Sequence, residues 1–257
     1  MTYCVAITVQ EGIVFCSDSR TSSGVDQINT YSKMYRFPLS TERQYAILSA
    51  GNLATTQAVI NQVKKDIDQK APLNLGMMNS MNDAAEYLGE LNRQQQAKTG
   101  GGPTYHATFL LGGQIIGNDP QLMLVYPEGN YITTSQETLF LQIGESKYGK
   151  PILDRIIKPD TSLQTAALCA LVSMDSTMRS NLSVGPPIEL LLYRTNSFFA
   201  GDYYQLKEDS AYLKHLTQAW NEKLIEGFQQ LPPLENDSIT DPNNEVRKPV
   251  SGTNRSV

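Results

Sequence analysis

Thr2 follows Met1 and opens onto the strand-like run Tyr3-Cys4-Val5-Ala6-Ile7-Thr8-Val9. Taking Met1 as an initiator with no leader ahead of it, removal before a small residue is expected. A threonine would then carry an α-amine and a hydroxyl on one residue. An α-amine titrates near ~8, so a fraction is free base at neutral pH beside its own Oγ. This is the terminal-threonine form of nucleophile activation, with the amine as general base. Many chains begin Met-Thr and make no use of the threonine, so the weight falls on the residues that follow.

Gly12-Ile13-Val14-Phe15-Cys16-Ser17 reads as a second strand, joined to the first by a short turn at Gln10-Glu11-Gly12. A hairpin of this length returns Asp18 to the neighbourhood of Thr2. Lys33 stands in Tyr31-Ser32-Lys33-Met34-Tyr35-Arg36-Phe37. Among such neighbours a lysine either snorkels from a half-buried strand or is held inside as a paired cation, and Asp18 is the available carboxylate. The apolar strand Tyr45-Ala46-Ile47-Leu48-Ser49 ends in Ala50-Gly51-Asn52 just before a helix. A glycine there leaves a backbone N–H free to face a developing oxyanion. Singly, Asp18 suits a turn cap, Lys33 a solvated strand position and Gly51 a helix entry. Their order behind Thr2 favours catalysis.

The elements that must position these residues follow from periodicity. Strands are expected at 3–9, 12–18, 32–37 and 43–49, then helices at 52–69 and 80–97. Residues 98–103, with three consecutive glycines, read as a flexible link. Strands return at 105–117, 121–127, 130–134 and 140–143. The helix expected at 162–180 is so uniformly apolar that it should be buried between layers. Strands at 187–195 and 197–201 follow, then an amphipathic helix at 209–230. On that helix Trp220 is read as intramolecular packing, with a subunit contact as the alternative. The pattern alone gives an α+β fold with mostly antiparallel sheets. Residues 1–231 are read as a single domain and 232–257 as a polar, disordered tail.

Composition narrows the class. A chain of 257 residues with 40% hydrophobic and 18% charged residues can build one sizeable core. No apolar stretch approaches the ~20 residues needed to span a bilayer, so no membrane partner and a cytoplasmic location are expected. A net charge of −5 without a basic cluster argues against nucleic acid. Cys4, Cys16 and Cys169 are odd in number and lie in apolar runs, which suits buried small hydrophobes rather than a disulfide or metal site. His106 and His215 are far apart and suit packing or surface roles. No cofactor is expected.

The order of terminal Thr, Ser17-Asp18-Ser19-Arg20, Lys33 and Ser49-Ala50-Gly51 resembles the proteasome β-subunit family of N-terminal-nucleophile (Ntn) hydrolases. The opening Met1-Thr2-Tyr3-Cys4-Val5-Ala6-Ile7 and the run Ser49 to Gln57 are more specifically similar to the bacterial ancestral β-subunit, or Anbu, group. The likeness covers about residues 2–205. It implies a four-layer αββα sandwich of two mostly antiparallel sheets flanked by helices, the Ntn-hydrolase type. It implies Thr2 Oγ as nucleophile, its α-amine as base, Lys33 as the activating charge, Asp18 as the group orienting Lys33, and the Gly51 N–H as oxyanion donor. Ser146 and Ser183 match supporting serines, and the backbone at Thr21 and Ser22 matches a strand that pairs with extended substrate. The chain departs from the pattern at Glu145, where a serine is usual, and at Ser180-Asn181, where an aspartate is usual. The resemblance also implies self-association into a ring or open spiral, a peptide or other amide substrate, and entry governed by an accessory or unfolding partner. A scaffold with little peptidase activity and a non-proteolytic amidohydrolase or acyl-transfer enzyme remain alternatives.

Overall fold

Side chains alternate along a strand, so Tyr3, Val5 and Ile7 leave one face of the first strand and Cys4 and Ala6 the other. All five are buried, which is why this run is apolar throughout and not half polar. The computed structural model describes residues 1–22, 28–199 and 201–233. In chain order the elements are β1 (Tyr3–Val9), β2 (Gly12–Asp18), β3 (Arg20–Ser22), β4 (Ile28–Thr30), β5 (Met34–Ser40) and β6 (Arg43–Gly51), followed by α1 (Leu53–Asp68) and α2 (Met81–Lys98). Then come β7 (Ala107–Ile115), β8 (Gln121–Val125), β9 (Tyr131–Thr133), β10 (Phe140–Gly144), α3 (Lys150–Ile156), α4 (Leu163–Ser180), β11 (Ile188–Arg194), β12 (Asp202–Leu206) and α5 (Ala211–Gln229).

One sheet has the order β10-β1-β2-β11-β12, the other β5-β6-β7-β8-β9, and β3 pairs with β4 alone. Every pairing is antiparallel. Three buried cores divide the layers. Cys4, Ala6, Ile13 and Phe15 of the first sheet meet Leu48, Ala50 and Leu110 of the second. Tyr3, Val5, Val14 and Cys16 turn outward onto Leu163, Ala166, Cys169 and Ala170 of α4. Ile47, Phe109 and Leu111 turn outward onto Val59, Ile60 and Val63 of α1 and Ala84 and Leu88 of α2. The result is the expected four-layer αββα sandwich of the Ntn-hydrolase type. The sheets approach so closely at Gly112 that a Cβ there would lie 2.6 Å from the Phe15 ring.

Local chemistry fixes the helix starts. Asn52 caps α1 by accepting the Thr55 N–H at 3.0 Å, and Ser80 and Asp83 form a reciprocal capping box on α2. The expectation for α4 needs correction: it is an outer layer, not a helix enclosed between layers, and Leu168 on its far side is exposed. The last strand is also displaced. Residues 197–201 were expected to be extended, but Asn196 and Phe198 adopt left-handed φ values of 61° and 48°, and the strand begins at Asp202.

Backbone contacts divide the chain into two units, Met1–Gln218 and Ala219–Val257. The first holds both sheets and the opening turns of α5, where Leu213 and Leu216 join the outer core of the first sheet. In the second, the described residues continue α5, with Lys223 paired to Glu226 at 2.6 Å. Most of the segment expected as a tail, residues 234–257, lies outside the described residues. Among the described residues no helix is long and apolar enough to cross a membrane, and no group of His, Cys, Asp and Glu could hold a metal ion.

Candidate active site

The β1–β2 register sets Cys4 opposite Ser17, which brings Asp18 level with Tyr3. Asp18 is fully buried. Its Oδ1 accepts the Tyr3 backbone N–H at 3.0 Å and the Lys33 ammonium at 2.7 Å, and its Oδ2 accepts the Gly185 N–H at 3.3 Å. One carboxylate oxygen therefore joins the peptide link just after Thr2 to Lys33. Lys33 is 5% exposed and donates a second bond, 2.7 Å long, to the Arg20 carbonyl. It stands one residue ahead of β5, not inside a strand spanning 32–37. Its own carbonyl accepts the Ser49 N–H at 3.0 Å, so β6 fixes the backbone from which the side chain reaches across.

The electrostatics follow from burial. Loss of solvent pushes the Asp18 carboxyl above its usual range, while the Lys33 ammonium and the N–H groups of Tyr3 and Gly185 pull it back. Burial likewise pushes the Cys4 thiol well up, against the pull of Lys33, so this sulfur is a neutral space-filler and not a nucleophile. It gives its hydrogen to the Ser49 carbonyl at 3.7 Å.

Gly51 ends β6 with φ +107°, and a Cβ there would lie 2.3 Å from the His106 carbonyl oxygen. The same carbonyl accepts the Asn52 N–H at 2.9 Å, which pins the strand-to-helix corner. Thr2 is half-buried, and its carbonyl accepts the Glu145 N–H at 2.8 Å. Ser146, the next residue, donates its own N–H to the Gly144 carbonyl at 2.9 Å. Ser183 lies in the loop after α4 and donates its N–H to Asn181 Oδ1 at 2.9 Å. That loop reaches the pair through Gly185, and Arg20 bonds the Leu182 carbonyl at 2.9 Å.

Thr21 and Ser22 belong to β3, one edge of which is taken by β4 through the pairs Thr21↔Asn29 and Ser22↔Ile28. Among the described residues the buried Thr21 hydroxyl oxygen has no hydrogen-bond partner. Along the edge of β5, starting at the two residues that flank Lys33, runs a groove of about 500 Å³ lined by Ser32, Met34, Tyr35, Arg36, Pro38 and Lys64.

Sequence reasoning missed Glu189. It is 3% exposed and accepts hydrogen bonds from Ser19 Oγ (3.1 Å), Ser32 Oγ (3.1 Å) and Tyr203 OH (2.7 Å). Ser19 follows Asp18 and Ser32 precedes Lys33, so one carboxylate ties together the backbone beside each member of the ion pair. Burial and the bond to Glu189 push the Tyr203 phenol up to about 12, which keeps it a donor, and Arg36 stacks 3.9 Å above its ring. The available signal was a single charged residue inside the apolar run Ile188–Tyr193.

Comparison with known proteins places this geometry in context. A family model described as "Proteasome subunit" matches residues 2–191. Anbu (ancestral beta-subunit) from Yersinia bercovieri is 44% identical with a TM-score of 0.87, over 91% of this chain and 98% of that one. The helical assembly of the Anbu complex from Pseudomonas aeruginosa is 42% identical with a TM-score of 0.86, over 92% of this chain and 100% of that one. An Anbu (Gly-1) mutant from Hyphomicrobium sp. strain MC1 is 40% identical with a TM-score of 0.87, over 91% and 100%. No curated protein matches the chain.

Proposed function

The chain belongs to the proteasome-subunit family, and on that footing we propose that it is a threonine hydrolase cleaving peptide or related amide bonds once Met1 is removed. The observation that carries this reading is the shared Asp18 oxygen, which sets a buried ammonium beside the start of the chain. Thr2 Oγ attacks the amide carbon and its proton passes to the α-amine, then to the departing amine. The product is a substrate acyl ester on Thr2. Water attacks that ester, its proton going to the same amine and back to Oγ, and the acid leaves. Lys33 lowers the proton affinity of hydroxyl and amine, and Asp18 orients it. The Gly51 N–H steadies the oxyanion in both tetrahedral states. Ser146 and Ser183 flank the terminus as supporting groups.

Extended substrate would add to the edge of β3 away from β4 through the backbone of Thr21 and Ser22, with the groove along β5 taking a side chain. Like its Pseudomonas relative, which forms a helical assembly, the chain is expected to self-associate into a ring or open spiral around the sites. Thr2→Ala, which keeps an α-amine but lacks the hydroxyl, should lower hydrolysis of a peptide library by roughly 10⁴-fold or more. Light scattering should give the same multimer for both chains. Equal hydrolysis by both would overturn the proposal, and cleavage of small amides alone would reassign the substrate to the amidohydrolase class.

A further inference from the structure

Glu189 stands on β11 opposite Ser17 of β2, next to the pair Ile188↔Asp18. Side chains alternate along a strand, so Glu189 shares the face of Leu191 and Tyr193, which lie in the core between the sheets, while Ile188 and Leu190 face α4. Its carboxylate therefore enters the interior from the first sheet. Among the described residues it has no ion-pair partner, and a buried carboxylate without a cation is costly to keep charged. Three hydroxyls from three separate segments hold it instead. Ser19, in the corner after β2, donates to Oε2 at 3.1 Å, and Ser32 before β5 and Tyr203 of β12 donate to Oε1 at 3.1 and 2.7 Å. The Ser32 hydroxyl has one hydrogen and a second acceptor within reach, the Met34 carbonyl at 3.0 Å, but an ionised acceptor forms the stronger bond. Ser19 and Ser32 bracket the excursion through β3 and β4, and the Tyr31 N–H closes the same base onto the Ser19 carbonyl at 2.9 Å. Asp18 stands just before this base and Lys33 just after it. Their 2.7 Å contact thus joins a strand of the first sheet to the segment that leads into the second.

We propose that Glu189 is a positioning residue: acting through Ser19 and Ser32, it clamps the base of the β3–β4 excursion and so holds the Lys33 ammonium on Asp18 in the geometry the reaction needs. The effect on rate rests on the threonine-hydrolase reading, whereas the clamp itself is a property of the folded chain. Among the hydrogen bonds of the described residues, loss of Glu189 leaves positions 31–33 tied to the Asp18–Arg20 corner only by the Tyr31 N–H and by the Lys33 side chain itself. The ammonium would then have to hold its own backbone in place. A misplacement of about 1 Å in a group that acts on the reacting atoms is enough to cost roughly a hundredfold in rate.

Glu189→Leu and Glu189→Gln separate this clamp from bulk stability. Leucine suits the apolar neighbours but offers no acceptor. Glutamine keeps an oxygen for Ser32 and Tyr203 and can donate from its amide to Ser19 Oγ, so all three links survive without the charge. With a peptide substrate the Leu variant should lose roughly a hundredfold in kcat, with KM within about threefold of wild type. The Gln variant should recover most of that loss, to within about fivefold of wild type. Hydrogen exchange over residues 28–34, followed by mass spectrometry, should be at least about tenfold faster in the Leu variant and near wild type in the Gln variant, with β7 and β8 unchanged in both. Should the Leu variant not fold, the double variant Ser19→Ala/Ser32→Ala removes the same two links and carries the same expectations. Wild-type kcat in the Leu variant with a lowered thermal midpoint would make Glu189 merely structural and overturn the proposal. Equal losses in the Leu and Gln variants, or wild-type exchange over 28–34 in the Leu variant, would also overturn it. Because exchange is read without turnover, faster exchange in the Leu variant with no cleavage by wild type would support the clamp and count against the hydrolase reading.

Discussion

Lys33→Met should lower amide hydrolysis roughly a thousandfold while the chain still folds, within the 10²–10⁴-fold range of positioned proton-transfer catalysis. Methionine keeps the length and the apolar stem of the side chain but loses the ammonium that lies 2.7 Å from Asp18 Oδ1 and 2.7 Å from the Arg20 carbonyl. Thr2 would keep its hydroxyl and amine, so the loss reads the charge alone. The variant also predicts a pH signature in stability. Burial already raises the folded-state proton affinity of Asp18, and Lys33 is the main force against it. Without Lys33 that affinity rises further above the unfolded value of about 3.9. A raised folded pKa means stability is retained at low pH and lost as pH climbs through it. The gap in thermal midpoint between wild type and Lys33→Met should therefore be small near pH 4–5 and widen toward pH 8. An uncompensated buried carboxylate costs on the order of 3–5 kcal/mol when it cannot protonate. Full activity in this variant, or a gap independent of pH, would contradict the role given to the ion pair.

Gly51→Ala carries the second large effect. At φ +107° a side chain is strained by roughly 1–3 kcal/mol. The added Cβ would also meet the His106 carbonyl at 2.3 Å, so the β6–β7 pairing that ends at Gly51↔Ala107 must shift. The strain should lower the thermal midpoint by several degrees, at about 2–4 °C per kcal/mol for a domain of this size. The displaced N–H should cost roughly 10²–10³-fold in kcat, the usual worth of an oxyanion donor. KM should change much less, because the donor acts on the transition state. A destabilised variant with wild-type kcat would remove Gly51 from the mechanism and leave it a structural corner.

Much of this was legible in the chain because the decisive elements are local. The β1–β2 hairpin has a tight turn and two apolar strands, so its ends and the placement of Asp18 near the terminus follow from strand spacing alone. Lys33 was legible as either a snorkelling strand residue or a paired cation, and the ion pair with Asp18 came only with the fold; its position just before β5 was not legible, since flanking aromatic and apolar residues give an extended pattern whether or not the backbone is paired. A strand was expected over 197–201. Left-handed turns at Asn196 and Phe198 put β12 later, on the polar-rich run Asp202–Leu206, where one face of an edge strand tolerates polar side chains. The three-residue strands β3 and β4 are too short and too polar to give any periodicity. Glu189 shows the limit most clearly. Its charge in an apolar strand is visible, but its partners at positions 19 and 32 lie more than 150 residues away and only the folded sheet brings them in.

The most direct measurement is the intact mass of the purified chain before and after an epoxyketone or vinyl-sulfone probe. The account predicts a chain lighter by one methionine that gains one probe adduct, with no adduct on Thr2→Ala. A chain that retains Met1 and takes up no probe would contradict it.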